Sequence, residues 1–99
     1  MKVRFADRQL ERCFLDGGLA NRTWGESVGQ RFVQRVKVLQ ASSKFEDLFE
    51  ARTLRLHPLT GNRSGQWALK LIGRWRLIFR LSEDRQTITL AEVSNYYGN

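Results

Sequence analysis

The chain is short of the residues on which cross-linking and much of catalysis depend. Its 99 residues include one cysteine, one histidine and one proline. A lone Cys13 excludes a disulfide framework, and no ligand cluster surrounds it in sequence. Apolar runs are two or three residues long, against the ~20 that a membrane-spanning helix needs. The opening stretch Met1-Lys2-Val3-Arg4-Phe5-Ala6-Asp7 has no apolar core of signal-peptide length, so a cytoplasmic setting without a membrane is expected. With a single histidine, a two-histidine acid–base pair is impossible. The ten carboxylates are scattered from Asp7 to Glu92 and too few stand together for metal-assisted hydrolysis, so neither metal nor cofactor is expected. No glycine-rich phosphate loop follows a predicted strand, and no serine-nucleophile motif occurs.

What is abundant is positive charge. Lys+Arg 17 against Asp+Glu 10 gives +7 at pH 7, with a pI near 10.5. Thirteen of the cations are Arg and only four are Lys. Arginine's planar fork binds phosphate bidentately and stacks on bases, so this balance favours nucleic acid as a partner. At 41% hydrophobic, the chain can still bury a core, and its length predicts a single domain over 1–99.

The first half reads as helical. Residues 2–5 suggest a short strand, after which Asp7 offers an N-cap to a helix with Leu10, Cys13 and Phe14 on one face. Gly17-Gly18 is expected to end it. Thr23-Trp24-Gly25-Glu26 fits a capping box for a helix over 24–41, with Val28, Phe32, Val36 and Leu39 inward. Arg31 and Arg35 lie one turn apart off that stripe, on a solvated face or on a phosphate-binding surface. Ser43-Lys44-Phe45-Glu46 repeats the capping pattern, predicting a short helix with Phe45, Leu48 and Phe49 inward.

From residue 53 the period changes to 2. Leu54 and Leu56 alternate with Arg55 and His57 until Pro58 limits the strand, and residues 60–65 are a loop by composition. Trp67, Leu69 and Leu71 oppose Gln66 and Lys70. After a turn at Gly73-Arg74, Trp75, Leu77, Phe79 and Leu81 oppose Arg76 and Arg80, and residues 86–93 form a last strand. Helices followed by an antiparallel meander make an α+β fold, with the helices packed on one sheet face. The other face carries Arg55, His57, Gln66, Lys70, Arg76 and Arg80. Such a face suits single-stranded RNA, with phosphates on the cations and bases on Tyr96 or Tyr97, or it is an ordinary solvated surface.

Three blocks go further. Arg55-Leu56-His57-Pro58-Leu59-Thr60-Gly61-Asn62-Arg63 with Gly65-Gln66-Trp67, then Gly73-Arg74-Trp75-Arg76-Leu77-Ile78-Phe79, and Ala91-Glu92-Val93-Ser94-Asn95-Tyr96-Tyr97-Gly98 at the end stand in this order. Together they closely resemble the HigB group of RelE-like toxins, over nearly the whole chain. The resemblance implies a compact RelE-type fold and the toxin of a type II toxin–antitoxin pair. It implies entry into the ribosomal A site and metal-free cleavage of the mRNA there. The implied partners are the ribosome, its mRNA and a HigA-type helix-turn-helix antitoxin, in a complex that represses its own operon.

Carried over by motif, His57 is the acid–base candidate, a side-chain type that changes charge near neutral pH. Arg76 matches the arginine expected to stabilise the cleaved phosphate, Tyr96 matches a tyrosine that stacks on a base or orients the phosphate, and Arg63 matches a loop arginine that positions the RNA backbone or the loop itself. Arg55, Lys70 and Arg80 complete the implied RNA-binding set. Three positions depart from the pattern: Thr60 stands where many relatives carry Lys, Asn95 where many carry Asp, and Tyr97 where the group has a terminal His. Tyrosine, which ionises near pH ~10 as a side-chain type, is a poor general base at neutral pH but can donate a proton or hydrogen bond, so cleavage would be slowed rather than abolished. A non-catalytic RNA- or ribosome-binding module on the same fold is therefore the competing expectation. A DNA-binding domain fits less well, because no second recognition helix follows the helix at 24–41.

Overall fold

Alternation in the second half and helical periodicity in the first produce two layers, a five-stranded sheet and three α-helices covering one of its faces. The computed structural model describes residues 1–95. In chain order the elements are β1 (Lys2–Phe5), α1 (Arg8–Leu15), α2 (Gly17–Trp24), α3 (Glu26–Ala41), β2 (His57–Pro58), β3 (Gln66–Lys70), β4 (Trp75–Leu81) and β5 (Thr87–Asn95). Short 3₁₀ turns at Phe45–Glu50, Arg52–Leu54 and Gly61–Arg63 fill the connections. The strand order is β1-β5-β4-β3-β2. β2 to β5 form the expected antiparallel meander, and β1 adds to β5 in parallel, so the sheet is mixed.

The core lies between the sheet and the helices. Phe32, Val36 and Leu39 of α3 meet Leu69 of β3, Leu77 and Phe79 of β4, and Ile88 and Leu90 of β5, all fully buried. The three tryptophans pack as their apolar neighbours suggest. Trp24 meets Phe32 edge-on at 4.8 Å, Trp67 meets Phe45 at 4.9 Å, and Trp75 packs against the same core. Cys13 is buried among them with its thiol 3.7 Å from the Thr23 hydroxyl, as a small hydrophobe would be. Among the described residues no helix is long and apolar enough to cross a membrane.

Several local expectations fail, each for a visible reason. Asp7 caps α1 through the Leu10 N–H at 2.8 Å, but Gly17-Gly18 does not simply end that helix. Asp16 caps a new helix through the Leu19 N–H at 3.2 Å, so the glycines occupy its first turn. Thr23 lies inside α2 and its hydroxyl donates to the Leu19 carbonyl, 2.8 Å away. It therefore caps nothing, and α3 begins at Glu26 after Gly25, whose φ of 92° favours glycine. Ser43 is likewise not a cap: a 3₁₀ helix opens after Lys44, and Phe49 is 48% exposed rather than inward. The strand expected from Leu54 is a 3₁₀ turn instead, closed by Arg55 in the left-handed region.

Candidate functional site

The residue before a proline is pushed to extended backbone, and proline cannot donate to a ladder. His57-Pro58 accordingly forms a two-residue edge strand against β3, with His57 opposite Ala68. The register continues Ala68 to Ile78 on β4 and Ile78 to Glu92 on β5. One row along, Lys70 stands opposite Arg76, which stands opposite Ser94. On the other side of His57's row, Gln66, Arg80 and Thr89 align. Because side chains two residues apart share a face, His57, Gln66, Lys70, Arg76, Arg80, Glu92 and Ser94 lie on the face away from the helices. A bulge between Ile78 and Phe79 leaves Ala91 unpaired in the register. It keeps Leu90 in the core while Glu92 takes the open face.

His57 is oriented by backbone strain just before it. Arg55 has φ 47° and ψ 46°, a conformation uncommon outside glycine, and its carbonyl lies 2.9 Å from His57 Nδ1. A carbonyl oxygen can only accept, so in the neutral ring the proton sits on Nδ1 and Nε2 presents its lone pair. His57 Nε2 is buried and has no hydrogen-bond partner among the described residues.

Arg76 shows the complementary arrangement. Its Nη1 donates to the carbonyls of Gly73 at 2.8 Å and Trp75 at 3.1 Å, which fixes the guanidinium at the β3–β4 turn. Gly73 has φ 56°, so a glycine suits that turn. The Arg76 Nε–H is buried and unpartnered among the described residues. Each such buried, unpaired group costs about 1–3 kcal/mol, and a ligand that pairs it recovers that cost. One face thus offers a nitrogen lone pair two strands away from an unpaired cationic donor. From strand spacing and rise, their Cα atoms lie roughly 12 Å apart.

The remaining candidates divide. Lys70 is half-buried beside Arg76, and Arg80 is exposed at the far end of the face. Arg63 reaches over the sheet to Glu92 at 2.5 Å and to the Gln66 side chain at 3.3 Å, so its charge is engaged and ties the 60–65 loop down. Asn95 ends β5 opposite Trp75 and is exposed, so it takes Trp75's side of the sheet and is not brought together with His57 and Arg76. Tyr96 and Tyr97 lie outside the described residues. Glu92 is a further member of this face that alternation does not signal: with Ile88 and Leu90 inward it would point inward too, and only the bulge at Ala91 turns it outward. Among the described residues no three His, Cys, Asp or Glu side chains gather in metal-binding range.

The fold matches solved structures along its whole length. A YoeB/ParE toxin from Agrobacterium tumefaciens superposes with TM-score 0.59 at 17% identity, covering 98% of this chain and 100% of that one. The YoeB–YefM complex from Staphylococcus aureus gives TM-score 0.60 at 12% identity, with 98% of each chain covered. YafQ from Escherichia coli strain BL21(DE3) gives 0.58 at 13% identity, covering 95% and 91%. A search of curated protein sequences finds no significant match. The family profile described as the RelE-like toxin of type II toxin–antitoxin system HigB matches residues 3–96. With that profile spanning nearly all of its length, the chain belongs to the HigB-like family of RelE-like type II toxins.

Proposed function

We propose that this toxin is a ribosome-dependent endoribonuclease that cuts mRNA without a metal ion. One observation carries the reading: His57 Nε2 and Arg76 Nε are both buried, both unpaired among the described residues, and both on the open face of the sheet. In RNA cleavage of this class, the 2′-oxygen forms a bond to the adjacent phosphorus as the bond to the 5′-oxygen breaks. His57 Nε2 takes the 2′-hydroxyl proton, and the guanidinium of Arg76 offsets the extra negative charge on the pentacoordinate phosphorus. The leaving 5′-oxygen takes a proton, for which the Tyr97 phenol is the assigned donor. Tyr96 stacks on a base. Arg55, Lys70 and Arg80 bind the RNA backbone, while Arg63 holds the loop beside it. The products are a 2′,3′-cyclic phosphate and a 5′-hydroxyl.

A helix-turn-helix antitoxin of the HigA type is the proposed partner. The S. aureus relative in fold is a complex of YoeB with YefM, which supports an antitoxin for this chain. Tyr97 at the family's terminal-histidine position favours a second reading, in which the protein occupies the ribosome without cutting. Cleavage in a reconstituted translation system separates the two. The nuclease reading predicts that His57→Gln and Arg76→Ala each slow mRNA cleavage by about 10²–10⁴-fold while the protein stays folded. Wild-type protein that arrests translation and leaves the mRNA whole would establish the binder instead.

A further inference from the structure

Beside the sheet face, α3 and the end of β3 enclose a second basic hollow of about 300 Å³, lined by Arg31, Arg35, Thr53, Arg55 and Lys70. Arg35 is only 9% exposed, yet it has no carboxylate partner among the described residues. Its Nε–H donates to the Lys70 carbonyl at 3.2 Å, and Arg31 Nη1 donates to the Leu71 carbonyl at 3.0 Å. Those two backbone oxygens hold both guanidinium groups at the strand end. None of Arg31, Arg35, Arg55 and Lys70 forms an ion pair among the described residues.

Holding a desolvated guanidinium beside like charges is unfavourable, and burial followed by the charge of Arg31 lowers the Arg35 pKa. An anion in the hollow would offset both effects by adding an attraction to the guanidinium groups. We propose that the hollow formed by Arg31, Arg35, Thr53, Arg55 and Lys70 is a phosphate subsite that takes the RNA backbone next along the strand from the phosphate at Arg76. This rests on the reading of the sheet face as an RNA site. Continuity selects RNA over an acidic peptide: Lys70 stands directly opposite Arg76, and Arg55 both orients His57 through its carbonyl and lines the hollow. A strand leaving Arg76 past Lys70 therefore meets two arginine forks, whose planar geometry suits phosphate oxygens.

The test is binding of a short 2′-O-methyl RNA to the full chain across a salt series, since that probe lacks the attacking hydroxyl. Each phosphate contact on single-stranded nucleic acid contributes about 0.7 to the slope of log K against log salt. Arg31→Gln is expected to make the slope shallower by about 0.7 and to weaken binding roughly tenfold. Arg35→Lys keeps the charge but loses the fork, so the slope holds while affinity falls. A merely structural arginine would not produce that split. If Arg31→Gln does not fold, Arg31→Met, which keeps the aliphatic stem and removes the charge, provides the same readout. Unchanged affinity and slope in a folded variant overturn the subsite, as does loss of antitoxin binding with RNA binding intact. The two readings also fail separately. Wild-type protein that cuts translated mRNA alongside a silent Arg31→Gln removes only the subsite. A slope change in a protein that cuts nothing retains the subsite and removes only the nuclease.

Discussion

A histidine beside a carbonyl oxygen has its tautomer chosen for it, and here the carbonyl belongs to a residue in an unfavourable conformation. Arg55 in the left-handed region costs roughly 1–2 kcal/mol relative to a glycine there. Only the backbone of Arg55 is needed to hold His57 Nδ1, while the side chain lines the basic hollow. The two roles separate by substitution. Arg55→Gly should keep thermal stability at or slightly above that of the wild type yet weaken RNA binding. Arg55→Val should lower stability by about 1–2 kcal/mol, because a branched side chain tolerates that region poorly. Equal stability of the two variants in denaturant titrations would remove the strain argument. Of this geometry, the sequence shows His57, its motif and the extended backbone that Pro58 enforces. The left-handed turn at Arg55 is not readable, because arginine is no signal for positive φ. Arg63 is half-legible: its loop was evident, but its pairing with Glu92 joins positions 29 residues apart.

Elements whose period is strong were legible, and those set by tertiary contact were not. Alternation over residues 66–81 places β3, β4 and their outward arginines correctly, because one face must be apolar. The parallel pairing of Lys2 with Thr87 leaves no local trace, since nothing near either position encodes the other. Helix α2 was invisible for a different reason: two glycines in its first turn argue against a helix, and packing against α3 overrides that propensity. The closeness of this pair makes a prediction. A Cβ at Gly29 would overlap Asn21 Oδ1 and stand 2.7 Å from the Asn21 backbone nitrogen. Ala at 29 would gain helix propensity but must force α2 away, so Gly29→Ala should destabilise the protein by roughly 1–3 kcal/mol. A variant at least as stable as the wild type would mean the helices separate at no cost.

At the scale of the whole molecule, +7 of charge is distributed so that the few carboxylates serve structure and leave basic surface free. Glu46 holds Arg85 across 39 residues, with Nε and Nη2 at 3.0 and 2.6 Å from one carboxylate oxygen, while the Arg85 guanidinium lies 5.0 Å from the Phe45 ring centre. The side-chain hydrogen bond from Arg85, then a backbone hydrogen bond, hold the Glu46 carboxyl below its usual range. A depressed carboxyl stabilises the fold above its unfolded pKa, and that contribution is lost as pH falls through the lowered folded value. Because Glu46 is exposed, the effect is small. Thermal unfolding should show Glu46→Gln slightly less stable than the wild type at neutral pH, with the gap closing in acid. A gap of constant size would contradict the assignment. Primer extension after induced expression decides whether the protein carries out the proposed cleavage of translated mRNA. An abundant mRNA is followed with its translation intact and with its translation blocked. Cleavage confined to the translated message and absent in His57→Gln cells is the predicted result. Growth arrest with every message intact, or cuts that persist without translation, would contradict it.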